Sequence, residues 1–183
     1  MMRKALSGAI TSVLTAGLAL SLSACGGGRE YTVPKQACGI PVNEKTLDPF
    51  LFDGRELDVT RGSVIETGTS TQGACEIRVD GKMVVHLRVD KVDKLYDPMD
   101  KSEEFRFTNR EKLTDLPFAG LGALGDSRSM VSTGCSGPKA DHLIAYVTVD
   151  GQAGGDVAER RKTIEAFTFD FVPKVKKALD CTA

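Results

Sequence analysis

Four cysteines spread along the chain, Cys38, Cys75, Cys135 and Cys181, constrain its fold more than any other feature. An even set in an exported domain reads as two disulfides. Three pairings are open. No two of these cysteines have C-x-x-C spacing and the chain has only 2 histidines, so a zinc site is disfavoured and no metal or other cofactor is expected. Pairing Cys38 with Cys75 and Cys135 with Cys181 is favoured because each bridge then closes one half of the chain, over 37 and 46 residues. Each would contribute on the order of 4 kcal/mol by restricting the unfolded chain. The alternative ties Cys38 to Cys181 and staples the two ends of the domain together.

Export is read from the N-terminus. Arg3 and Lys4 are followed by an uncharged run from Ala5 to Leu22, and then by Leu22-Ser23-Ala24-Cys25. The run is long enough to resemble a membrane span, but small residues directly before a cysteine make a lipobox. The reading is a lipoprotein signal peptide over 1–24, removed after Cys25 has accepted a diacylglyceryl group, with palmitate-type acyl chains as the anchor. The competing reading is an uncut signal anchor. Gly26, Gly27 and Gly28 suit a tether, expected over 25–37, and a single extracytoplasmic domain is expected over 38–183. Without Arg3 and Lys4 the chain holds 22 basic and 25 acidic residues. That balance gives no footprint for nucleic acid. It also leaves membrane attachment to the acyl chains rather than to charge.

Along the domain, Pro41, Pro49 and Gly54 surround Leu47, Phe50, Leu51 and Phe52, which suggests a short helix or turn packed inward. Asp80-Gly81 between the alternating runs Cys75 to Val79 and Met83 to Val89 is a hairpin signal. Lys101 to Phe107 is expected as an edge segment, and Leu116 to Ser127 as a glycine-rich turn region. Strands are expected over Ser129 to Cys135 and His142 to Val149. Asp156 is placed to cap a long helix ending near Leu179, with Glu159 completing a capping box. Ile164, Phe167, Phe171, Val175 and Ala178 fall on one face of it, and Pro173 is expected to kink or split it. The fold class is therefore α+β: a twisted antiparallel sheet with the C-terminal helix on one face and a short N-terminal helix nearby. Val, Ile, Phe and Leu face that helix; Arg, Asp and Thr occupy the other face. Cys75 and Cys135 each precede an aspartate, Asp90 and Asp150, by 15 residues, a faint echo between the two hairpins.

Candidate chemistry is sparse. Gly120-Leu121-Gly122-Ala123-Leu124-Gly125 matches GxGxxG, but no strand–helix context surrounds it, so a turn with positive φ is expected instead of a dinucleotide site. Asp90, Asp93, Asp97 and Asp100 lack calcium-loop spacing and are interleaved with lysines, which reads as a solvated loop. His86 and His142 lie on strands. No GxSxG or HExxH accompanies them, and no catalytic residue is assigned. 

The order of lipobox, Cys38-Gly39-Ile40-Pro41, Leu47 to Leu51, Cys75 opening a hairpin, Gly120-Leu121-Gly122 with Gly125-Asp126, a second strand pair and a C-terminal helix resembles the actinobacterial lipoproteins of unknown function. These are similar in outline to the extracellular sensor domains of mycobacterial receptor kinases. The resemblance implies an α+β domain outside the membrane and carries no catalytic residues.

Two function classes follow. The first is a non-catalytic, lipid-anchored domain on the extracytoplasmic face of the cell membrane. It would bind a small ligand, a cell-wall component or a protein partner. The second is a secreted hydrolase acting on a cell-envelope substrate. A histidine in a cleft, bonded to a carboxylate, separates them in favour of the enzyme.

Overall fold

The computed structural model describes residues 28–66, 68–137 and 139–182. The leader and Cys25 lie outside them. Nine strands alternate with short helices before one long helix: β1 (Gln36–Ala37), β2 (Ile40–Pro41), α1 (Glu44–Leu47) running into a 3-10 turn (Asp48–Phe50), β3 (Leu57–Thr60), β4 (Gln72–Val79), β5 (Lys82–Val92), a 3-10 helix (Lys101–Arg106), β6 (Glu111–Leu113), β7 (Leu121–Leu124), β8 (Arg128–Gly137), β9 (Ala140–Val149) and α2 (Val157–Ala178). β1 and β2 form a small ribbon. The other seven make one sheet in the order β3-β4-β5-β9-β8-β7-β6, with every pair antiparallel. The fold is the α+β arrangement that the hydrophobic pattern predicts.

Period-two alternation sorts the strand residues between two faces. Cys75, Ile77, Val79, Val85, Leu87, Val89, Val131, Leu143, Ala145, Val147 and Val149 enter the main core, together with Ile164, Phe167, Phe171 and Val175 of α2. Phe167 stacks on Phe171 at 5.9 Å between ring centroids and meets the edge of Phe50 at 5.8 Å, so α1 and its 3-10 turn are held against α2. A hydroxyl pair, Ser129 with Thr168 at 2.6 Å, satisfies two of the polar groups buried between the sheet and the helix. Asp80 and Gly81 both take positive φ, which makes the β4–β5 hairpin a tight two-residue turn.

The disulfides are Cys38–Cys75 and Cys135–Cys181, with Cα–Cα distances of 5.5 and 4.5 Å. The first fixes the β1–β2 ribbon to β4. The second fixes the end of α2 to β8.

Four local expectations are corrected. Lys101–Arg106 is a 3-10 helix rather than an edge strand. Its one apolar residue, Phe105, gives no alternation to bury, and Glu103 pairs with Arg106 three residues on, a helical spacing. Gly120 to Gly125 is not a positive-φ turn: none of its three glycines has positive φ, and β7 runs through it. These glycines serve close approach instead. A Cβ on Gly120 would lie 2.7 Å from the Ser132 carbonyl oxygen, and one on Gly122 would lie 2.9 Å from Leu113 Cβ. α2 is not split, for it continues from Pro173 to Ala178. Val172, Val175 and Leu179, all buried, hold the last turns in place. Finally, the chain joins the domain well before Cys38. Arg29 forms an ion pair with Asp48 and donates to the Leu51 carbonyl, the Glu30 N–H donates to the Gly54 carbonyl, and the Tyr31 hydroxyl donates to the Phe52 carbonyl.

Candidate functional site

The sheet face opposite α2 is only partly covered. A second apolar cluster of Met130, Ile144 and Tyr146, with Val92, Tyr96 and Phe107 against it, seats the 93–110 segment on that face. Beside this cover the sheet register assembles a polar row across four strands. Glu76 on β4 faces His86 on β5, His86 faces Thr148 on β9, and Thr148 faces Arg128 on β8. In the neighbouring row Arg88 faces Tyr146. Side chains on adjacent strands stand about 4.8 Å apart, so residues from 76 to 148 in sequence meet within one patch.

A cleft of about 120 Å³ opens there, lined by His86, Arg88, Arg106, Arg128, Tyr146 and Thr148. Arg106 reaches it from the end of the 3-10 helix. Two guanidinium groups lie over the Tyr146 ring, Arg88 at 5.4 Å and Arg106 at 5.6 Å from its centroid. Arg88 is bidentate to Asp90, at 2.8 and 2.6 Å, and Arg106 pairs with Glu103. Arg128 differs from both. Its Nε donates to the Thr148 hydroxyl at 3.1 Å and a terminal nitrogen donates to the Arg106 carbonyl at 3.1 Å. No carboxylate among the described residues pairs with it. Burial, with Arg106 adding repulsion, holds its pKa below the usual arginine value.

The remaining charges of this face are also weighted towards cations. Glu76 is shared by Arg61 at 2.9 Å and Arg78 at 2.6 Å. With Asp58 opposite Arg78 on β3, five arginines therefore face four carboxylates, in a chain whose formal net charge is −1. His86 sits between these groups. Desolvation lowers its pKa; Glu76 opposes that shift, and Arg61, Arg88 and Arg128 reinforce it. Its ring is therefore neutral near pH 7. Burial raises the Tyr146 pKa, which keeps its hydroxyl protonated.

The two histidines are not brought together. His142 lies further along β9, facing Val92 and Gly134, and its buried Nδ1 has no hydrogen-bond partner among the described residues. Neither histidine hydrogen-bonds to a carboxylate among the described residues; Glu76, which faces His86, pairs with Arg61 through one oxygen and with Arg78 through the other. Asp90 is held by Arg88, and Asp97 accepts from the Met99 N–H. The larger concavity of about 480 Å³ lies away from this face, against Phe50 to Phe52, and its one charged pair is Lys82–Asp150 at 3.5 Å. The Arg128 guanidinium, without a carboxylate partner among the described residues, thus lines the smaller cleft.

Of the cleft, His86 was visible in sequence as a candidate. The arginines were not, because Arg61, Arg78, Arg88, Arg106 and Arg128 lie in separate elements and only the register gathers them. Comparison of the chain with protein families, with curated proteins and with solved structures gives no match.

Proposed function

We propose that this chain is a membrane-anchored extracytoplasmic lipoprotein, held through acyl chains on Cys25. Its domain binds a ligand carrying a carboxylate or phosphate group and does not transform it. The observation that carries the binding reading is Arg128, half-buried in the cleft with its charge unneutralised beside Arg106, Thr148 and a neutral His86. A buried cation is costly without a counter-charge, and an incoming anion supplies one. Glu76 faces His86 but is engaged by Arg61 and Arg78 rather than hydrogen-bonded to the imidazole, which favours binding over the hydrolase, because a general base needs an orienting partner. The anchor reading rests on the spacing of Arg3-Lys4, the apolar run and Leu22-Ser23-Ala24-Cys25.

Calorimetric titration with inorganic phosphate and with succinate tests the cleft. Arg128→Gln is expected to weaken binding about tenfold or more, the loss of a hydrogen bond to a charged group, while exposed Lys112→Gln on β6 leaves it unchanged. Equal affinity of the Arg128→Gln and parent proteins would remove the cleft from the account. For the anchor, mass spectrometry of the membrane fraction should find a diacylglyceryl cysteine at position 25. A Cys25→Ser protein that still carries acyl chains would contradict it.

A further inference from the structure

The point where the chain enters the domain fixes which end of the domain can meet a bilayer. Arg29 is tied to Asp48 and to the Leu51 carbonyl, its guanidinium lies 5.3 Å from the Tyr31 ring, and Glu30 and Tyr31 bond to Gly54 and Phe52. The entry is thus clamped on the 48–54 segment. Arg29 follows Cys25 by only four residues. Fully extended they span at most about 14 Å. If Cys25 carries acyl chains, as proposed above, the 48–54 segment cannot stand further than that from the polar–apolar boundary of the bilayer.

The surface at this end is suited to that position. Phe52 is 37% exposed. It lines the groove of about 480 Å³ together with Phe50, Leu51, Val84 and Ala153 to Gly155. Val157, also exposed, starts α2 two residues further on. The Lys82 ammonium lies 5.6 Å from the Phe52 ring and pairs with Asp150 at the rim. An aromatic ring flanked by a lysine is the combination that settles at a membrane interface.

We infer that the end of the domain formed by Pro49 to Phe52, Lys82 and Ala153 to Gly155 is a membrane-docking surface, whose occupant is the lipid interface that holds the protein's own Cys25 anchor. The inference rests on the anchor reading and is independent of the anion cleft. Its consequence is orientation. β5 begins at this end with Lys82 and rises away from it to Val92, about 33 Å at the usual strand spacing. The sheet stands on the membrane, and its cationic face opens sideways.

The chain contains no tryptophan, so one introduced tryptophan reports its own surroundings. Mature lipidated protein carrying Phe52→Trp, or Leu95→Trp as control, is reconstituted into phosphatidylcholine–phosphatidylglycerol vesicles with and without brominated acyl chains. Leu95 is similarly exposed, at 44%, and follows the far end of β5. The expected result is a blue-shifted Phe52→Trp emission that brominated lipid quenches, and a Leu95→Trp emission that it leaves unchanged. Vesicle-bound protein with an unquenched Phe52→Trp overturns the docking surface while the anchor stands. A blue shift that follows protein concentration but not brominated lipid overturns it in favour of a second copy of the chain. Protein that fails to float with the vesicles defeats the anchor reading and the inference with it.

Discussion

His86 shows how one residue records the character of the cleft. Its neighbours from every packed element are mostly cations: Arg61 and Glu76 to one side, Arg88 on its own strand and Arg128 across Thr148. Burial and these charges lower its native pKa, whereas the unfolded chain titrates near 6.5. As pH falls through about 6.5 the unfolded state takes up the proton first, so stability drops. The drop ends once the pH passes below the native value, and above about 7.5 the residue contributes nothing to pH dependence. Thermal melts at pH 7.5 and 5.5 should therefore separate less in His86→Gln than in the parent. An equal separation in both proteins would mean that His86 is not destabilised by its surroundings. The glycine of β7 makes a second residue-scale test. Gly122→Ala places a Cβ against Leu113 and should cost about 1–3 kcal/mol, measured by denaturant unfolding; a neutral effect would show that the β6–β7 edge can spread.

At the scale of elements, α2 was the most legible in sequence because cap, stripe and terminal lysines agree. Asp156 accepts from the Glu159 N–H as the capping box requires. The Glu159 carboxylate does not complete the box, for it bonds to Lys162 instead. Truncation of Phe167, which touches both Phe50 and Phe171, should cost about 3–5 kcal/mol by equilibrium unfolding. Pro173 was misjudged because local propensity was weighed without the packing on either side of it. Its missing N–H leaves the Phe169 carbonyl without its helical donor, so Pro173→Ala should raise stability by about 1–3 kcal/mol. A destabilised Pro173→Ala would mean that the ring's own contacts outweigh that bond. The echo between the hairpins is half supported. Leu87 and Val147, sixty residues apart, face each other across β5 and β9, so a local twofold axis can relate the two hairpins. The cysteines do not obey it: Cys75 faces Leu87, but Val147 faces Ser129 rather than Cys135.

For the whole molecule, the disulfides were readable from the even number and spacing of the cysteines, because each closes one half of the chain. The β1–β2 ribbon and the end of α2 depend on them for attachment, and reduction should lower stability by about 4 kcal/mol per bridge. The arrangement of the cationic face was less readable. Alternation along β5 places His86, Arg88 and Asp90 on one side of the sheet, and that much follows from sequence. Their meeting with Arg128 and Arg106 depends on β5 pairing with β9 and on a 3-10 helix crossing the open face, neither of which periodicity specifies. The account centres on that face as an anion site, and the His86 titration followed by NMR tests it most directly. An anion beside His86 would favour the imidazolium, so saturating inorganic phosphate should raise the His86 pKa and, by linkage, phosphate should bind more tightly as pH falls. A His86 titration that is the same with and without phosphate and succinate, at concentrations that saturate any calorimetric binding, would contradict the account.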